Sequence, residues 1–143
     1  RGEKMKLLFV CKYNAFRSRV AEEYFNNVVS DKRIMAISRG IIMGQDSDSA
    51  QRQISKSILG VDISKRKPLP LTYQDMRDSN LIIVVADDIP RIVFNYPLPS
   101  IQKKLIIWSI KDEFDMDKAN IKNTILTIKR KVDDLFKKLE KTK

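Results

Sequence analysis

The run Leu7-Leu8-Phe9-Val10 constrains the fold more than any other stretch. Four consecutive apolar residues without alternation suit a central parallel strand covered on both faces. The run stops at Cys11, the only cysteine in the chain, and six residues later come Arg17 and Ser18 at the start of a helical pattern. Ser18 stands at a natural helix-cap position. Leu7 to Glu23 therefore reads as a buried strand, a tight loop and a helix start. Such a loop aims successive backbone N–H groups at one point, where they and the helix dipole favour an anion. A cradle of this kind suits phosphate.

The same placement favours a reaction. A cysteine near a helix N-terminus and beside an arginine ionises more readily than a free side chain, so Cys11 is expected to serve as a thiolate nucleophile. Arg17 offers a planar fork of donors that holds two phosphate oxygens and neutralises charge during phosphoryl transfer. Lys12, Tyr13, Asn14, Ala15, Phe16, Arg17 and Ser18 form the expected phosphate-binding set.

Periodicity extends the reading along the chain. Val20, Ala21, Tyr24, Phe25 and Val28 make an apolar stripe on a first helix from Ser18 to about Asn27. Strands are expected at Ile34–Ile37, Leu81–Val85 and Leu105–Ile107. Helices are expected at Asp46–Leu59, closed by Gly60, at Tyr73–Arg77, and at Lys118–Lys141, with a further short one at Pro90–Phe94. Lys65–Leu71, with two prolines, must be loop. In the last helix Ile121, Ile125, Ile128, Val132, Leu135 and Leu139 recur at helical spacing and read as core. Alternating strands and helices predict right-handed parallel crossovers and a small doubly wound α/β sheet, with ligands beyond the carboxyl ends of its strands.

One domain is expected over residues 5–143, after a disordered lead-in at 1–4. The 143 residues are 43% hydrophobic, and no Gly, Pro or Ser run marks a linker. One cysteine excludes an intrachain disulfide framework and fits a reducing cytoplasm, while the lack of histidine argues against a zinc site or a histidine base. No apolar stretch is long enough to span a bilayer and the first residues lack a secretory pattern, so a cytoplasmic protein without a membrane partner is expected. The net charge of +10 invites a nucleic-acid reading. However, the lysines are scattered, clustering only at Lys65-Arg66-Lys67 and in the last helix, without interleaved aromatics. They read as a solvated face that steers anionic substrates.

Cys11, Asn14, Arg17, Ser18 and Ala21-Glu22 resemble the low-molecular-weight protein tyrosine phosphatases and the arsenate reductases that share their fold. Ser38-Arg39-Gly40, Gly60-Val61-Asp62-Ile63-Ser64 and Asp78 to Asp87 continue the likeness in order. The resemblance implies four parallel strands in the order 2-1-3-4, no cofactor, no metal, a monomer, and a phosphorylated protein or small aryl phosphate as substrate. It implies a general acid in the loop after the fourth strand. Asp112 matches by position, although Glu113 stands where proline is expected, and Asp115 is the reserve. Asn14 either braces the loop, assisted by Ser38, or is a simple turn former. Ser18 caps the helix, donates to the Cys11 sulfur, or does both, and Asp87 is expected as a loop-bracing acceptor. Tyr13 replaces a common glycine and is expected at the pocket mouth.

Phe16 stands where many relatives carry a second cysteine, so the loop cannot protect Cys11 as an internal disulfide. A thioredoxin-linked arsenate reductase, which passes a disulfide among several cysteines, is excluded. The expected activity is hydrolysis of phosphotyrosine or a similar aryl phosphate through a phosphocysteine. Three alternatives remain: an arsenate reductase coupled to an external thiol such as glutathione, a phosphocysteine carrier, and a non-catalytic phosphate-binding relative.

Overall fold

The computed structural model describes residues 4–94, 99–111 and 117–141. Four strands, β1 (Met5–Cys11), β2 (Ile34–Gly40), β3 (Leu81–Val85) and β4 (Leu105–Trp108), form one sheet. Its order is β2-β1-β3-β4 and every pairing is parallel. β1 therefore pairs on both sides, and Leu7 through Val10 are wholly buried. An unbroken apolar run is what that position requires, because both of its faces meet helices.

Side-chain alternation divides the core. Leu7 and Phe9 join Val20 and Phe25 of α1 (Arg17–Val28) and Ile121, Ile125, Ile128 and Val132 of α5 (Lys118–Lys141). Phe9 lies 6.2 Å from the Phe25 ring and 5.8 Å from Trp108, ring centre to ring centre. Leu8 and Val10 face the other layer, with Met76 of α3 (Tyr73–Asp78), Phe94, and Ile101 of α4 (Pro99–Lys103). α2 (Ser49–Leu59) starts with a capping box between Asp48 and Gln51 and ends at Gly60, whose φ of 71° closes the helix.

Several elements depart from the sequence expectation, among them α2, which begins at Ser49 after the Asp48 cap and not at Asp46. β2 runs three residues beyond Ile37, because Ser38 to Gly40 still pair with Phe9 to Cys11. Arg91–Phe94 is a 3-10 turn, and α4 was not foreseen, its five residues being too few for a periodic signal. Among the described residues no helix is long and apolar enough to cross a membrane.

β2 is an edge strand whose outer side is occupied. The Asn26 side chain donates to the Ala36 carbonyl and accepts from its N–H, both at 2.9 Å. Gly40 exchanges backbone hydrogen bonds with Leu69 and Leu71. Groups that would template another strand are thereby satisfied within the chain. Asn26→Ala is expected to lower stability by about 1 kcal/mol, the usual net value of such bonds, as read from the urea unfolding midpoint.

Candidate functional site

The sheet ends converge on the loop between β1 and α1. Cys11 is the last residue of β1 and is 2% exposed. Residues 12–16 then turn the chain into α1, whose N-cap is Phe16; no side chain caps the helix, and its first turn carries no acidic residue. Ser18 is thus not the cap. Its hydroxyl is engaged elsewhere, 3.0 Å from the Cys11 sulfur and 2.8 Å from Asn14 Nδ2.

Asn14 is fully buried at a φ of 55°, the left-handed region that asparagine tolerates better than most residues. The orientation of its amide is set by Leu69, whose backbone N–H donates to Oδ1 at 2.9 Å. Nδ2 then donates to Ser18 Oγ and to Ser38 Oγ, both at 2.8 Å. Ser38 Oγ gives its own hydrogen to Glu22 Oε1 at 2.5 Å. Ser18 Oγ, already accepting from Asn14, has its hydrogen available for Cys11 Sγ. Ser18 Oγ also keeps a second lone pair, so it donates to a thiolate at Cys11 and accepts from a thiol there.

A charged layer lies under this loop. Glu22 Oε1 also takes Arg19 Nη1 at 2.6 Å and Arg66 Nη2 at 2.7 Å, and Arg19 is 1% exposed. Burial raises the Glu23 carboxyl from its ordinary value, opposed by Arg19. Burial likewise lowers the Arg66 guanidinium, opposed by the Glu22 carboxylate.

Arg17 is 4% exposed and ties the loop to the ends of two strands. Its Nη1 donates to Asp88 Oδ1 at 3.2 Å, past β3, and to the Ile110 carbonyl at 2.9 Å, past β4. Asp87 was expected to brace the loop with its carboxylate. Like Asp88 it is an exposed residue, and it is its backbone N–H that is engaged, donating to the Ile110 carbonyl at 3.0 Å. Among the described residues Arg17 pairs with Asp88, one residue further around the turn. Lys12 and Tyr13 are partly exposed, with Lys12 Nζ 5.3 Å from the Tyr13 ring centre. Ala15 is buried, and Phe16 packs against the α1 and α5 side of the core. Asp112 and Asp115 lie outside the described residues.

Sequence reasoning missed Asp88, the Ile110 carbonyl, Arg66 and Gly40. The doublet Asp87-Asp88 does not reveal which carboxylate meets Arg17, and a Lys-Arg-Lys run reads as solvated surface. Gly40 has a steric role, since a Cβ there would stand 2.7 Å from both Asn14 N and Tyr13 C.

The chain belongs to the family described as low molecular weight phosphotyrosine protein phosphatase, whose model matches residues 6–143. It is similar to the low molecular weight protein tyrosine phosphatase from T. tengcongensis, with 26% identity over 94% of this chain and 99% of that one, at a TM-score of 0.82. A protein tyrosine phosphatase from Entamoeba histolytica, 22% identical, superposes over 97% of this chain and 99% of its own with a TM-score of 0.85. An arsenate reductase from Archaeoglobus fulgidus, 23% identical, shares the fold over 90% of this chain and 97% of its own at 0.70. A search of curated proteins gives no significant sequence match.

Gly40→Ala is expected to lower stability by about 1–3 kcal/mol, because the obstructing atoms are backbone. Inorganic phosphate is expected to raise the unfolding temperature of the wild type and to raise that of this variant less. Differential scanning calorimetry with and without phosphate reads both.

Proposed function

We propose that this protein is a phosphomonoesterase that hydrolyses phosphotyrosine or similar aryl phosphates through a phosphocysteine. The observation that carries the reading is the Ser18 hydroxyl 3.0 Å from Cys11 Sγ, held there by Asn14 Nδ2 and with its hydrogen free to be given to a thiolate. A sulfur receiving that hydrogen bond at the head of an uncapped helix is stabilised as an anion, both as nucleophile and as leaving group.

In the proposed cycle Cys11 Sγ attacks phosphorus and an S–P bond forms as the P–O bond to the aryl oxygen breaks. Arg17 and the N–H groups of residues 12–18 hold the other phosphate oxygens. Asp112 gives its proton to the departing oxygen. Water then attacks phosphorus, Asp112 takes back a proton, and inorganic phosphate leaves with Cys11 restored as thiolate. Asp88 and the Ile110 carbonyl aim the Arg17 guanidinium; Asn14 and Ser38 keep the loop open. Family membership and the neighbouring structures support a phosphatase.

A second reading uses the same loop for arsenate. An arsenate reductase shares this fold, and with a single cysteine in the chain the reductant would be an external thiol. Arsenate-dependent consumption of glutathione distinguishes that activity from ester hydrolysis.

The test is aryl phosphate turnover with a chelator present. Cys11→Ser is expected to lose at least about a thousandfold in kcat and Asp112→Asn about a hundredfold. Full turnover in Cys11→Ser would end the covalent mechanism. Unchanged turnover in Asp112→Asn would transfer the acid role to Asp115, and binding of phosphate with no turnover in the wild type would mark a non-catalytic relative.

A further inference from the structure

Arg66 comes from the loop between α2 and α3, and its neighbours Lys65 and Lys67 are exposed. Its own side chain turns inward and is 29% exposed. Nη2 donates to Glu22 Oε1 at 2.7 Å, to the Ser38 carbonyl at 2.9 Å and to Ser38 Oγ at 3.0 Å. Nη1 donates to the Lys67 carbonyl at 3.0 Å and reaches Asn14 Oδ1 at 3.5 Å.

Anchoring this loop does not require such an arrangement. The backbone already holds it, through Leu69 N–H to Asn14 Oδ1 and the two bonds that Leu69 and Leu71 make with Gly40. What Arg66 alone supplies is a second cation on Glu22 and a second donor to Ser38 Oγ. That hydroxyl then accepts from Asn14 and Arg66 and donates to Glu22, which exhausts its capacity. Ser38 is held as the acceptor that keeps the Asn14 amide aimed between two hydroxyls, and the second of these hydroxyls faces Cys11 Sγ. The charged groups that act on Arg66 include Arg19, Glu22, Glu23 and Arg39. One Glu22 carboxylate oxygen is thus shared by two guanidinium groups, and Glu23 pairs with Arg19 as well.

We infer that Arg66 is a positioning residue for Cys11, holding the Glu22–Ser38–Asn14–Ser18 relay in the order that delivers a hydrogen bond to the sulfur. Removing it weakens the relay and removes a positive charge, and both changes disfavour the sulfur anion. The inference rests on the reading of Cys11 as the attacking thiolate, not on the identity of the substrate.

The test is the rate of Cys11 alkylation by iodoacetamide against pH in the wild type, Arg66→Met and Arg66→Lys, beside thermal unfolding and aryl phosphate kinetics. In Arg66→Met the midpoint of the alkylation profile is expected to rise and kcat to fall about tenfold, with KM changed less than about threefold. Arg66→Lys keeps the charge without the fork and is expected to fall between the two. It also supplies the reading should Arg66→Met not fold. A merely structural anchor would lower the unfolding temperature and leave the alkylation midpoint unmoved. A low wild-type midpoint that neither variant shifts overturns the inference alone. A wild-type midpoint near that of a free thiol, about 8.5, overturns the nucleophile reading and this inference together.

Discussion

The site depends on one buried amide. Asn14 adopts a left-handed backbone conformation with no exposure to water. Such a conformation typically costs a residue other than glycine about 1–2 kcal/mol. Hydrogen bonds from Nδ2 to two hydroxyls, and to Oδ1 from a backbone N–H and a guanidinium, offset that cost. Each is worth about 1 kcal/mol net, and each would leave a buried polar group stranded if broken. Glycine would relax the backbone at this position and forfeit every one of these bonds.

The sheet supplies the rigidity around that amide. Cys11 ends β1, and Arg17 reaches the chain beyond β3 and β4 through Asp88 and Ile110. The close approach of β2 is possible because Gly40 has no side chain to meet the Asn14 and Tyr13 backbone. Donors held in this way need little reorganisation when an anion arrives, which is the condition for strong electrostatic stabilisation. The residues that carry the loop are thus drawn from all four strand ends.

Beneath the loop, Arg19, Arg66 and Glu22 bring three ionised groups into a mostly dry layer. Burying such charges is favourable only where each is paired and its remaining donors are satisfied. Glu22 Oε1 meets that condition with three donors, and Arg19 reaches the Ile63 carbonyl and Glu23 as well. Removing one member of a buried ion pair typically costs about 3–5 kcal/mol, so the layer tolerates little change.

Much of this was legible from residue order. The unbroken run Leu7–Val10, the single Cys11, Arg17 six residues on and the helical stripe of α5 identify the parallel sheet, its helices and the loop between β1 and α1, because periodicity and local turn chemistry are written in neighbouring residues. Asp88 in place of Asp87, the Ile110 carbonyl, the inward turn of Arg66 and the steric demand on Gly40 depend on contacts between residues dozens of positions apart. Only the packed sheet decides those, since it is the crossing of loops at the strand ends that selects which carboxylate, carbonyl or guanidinium meets the site.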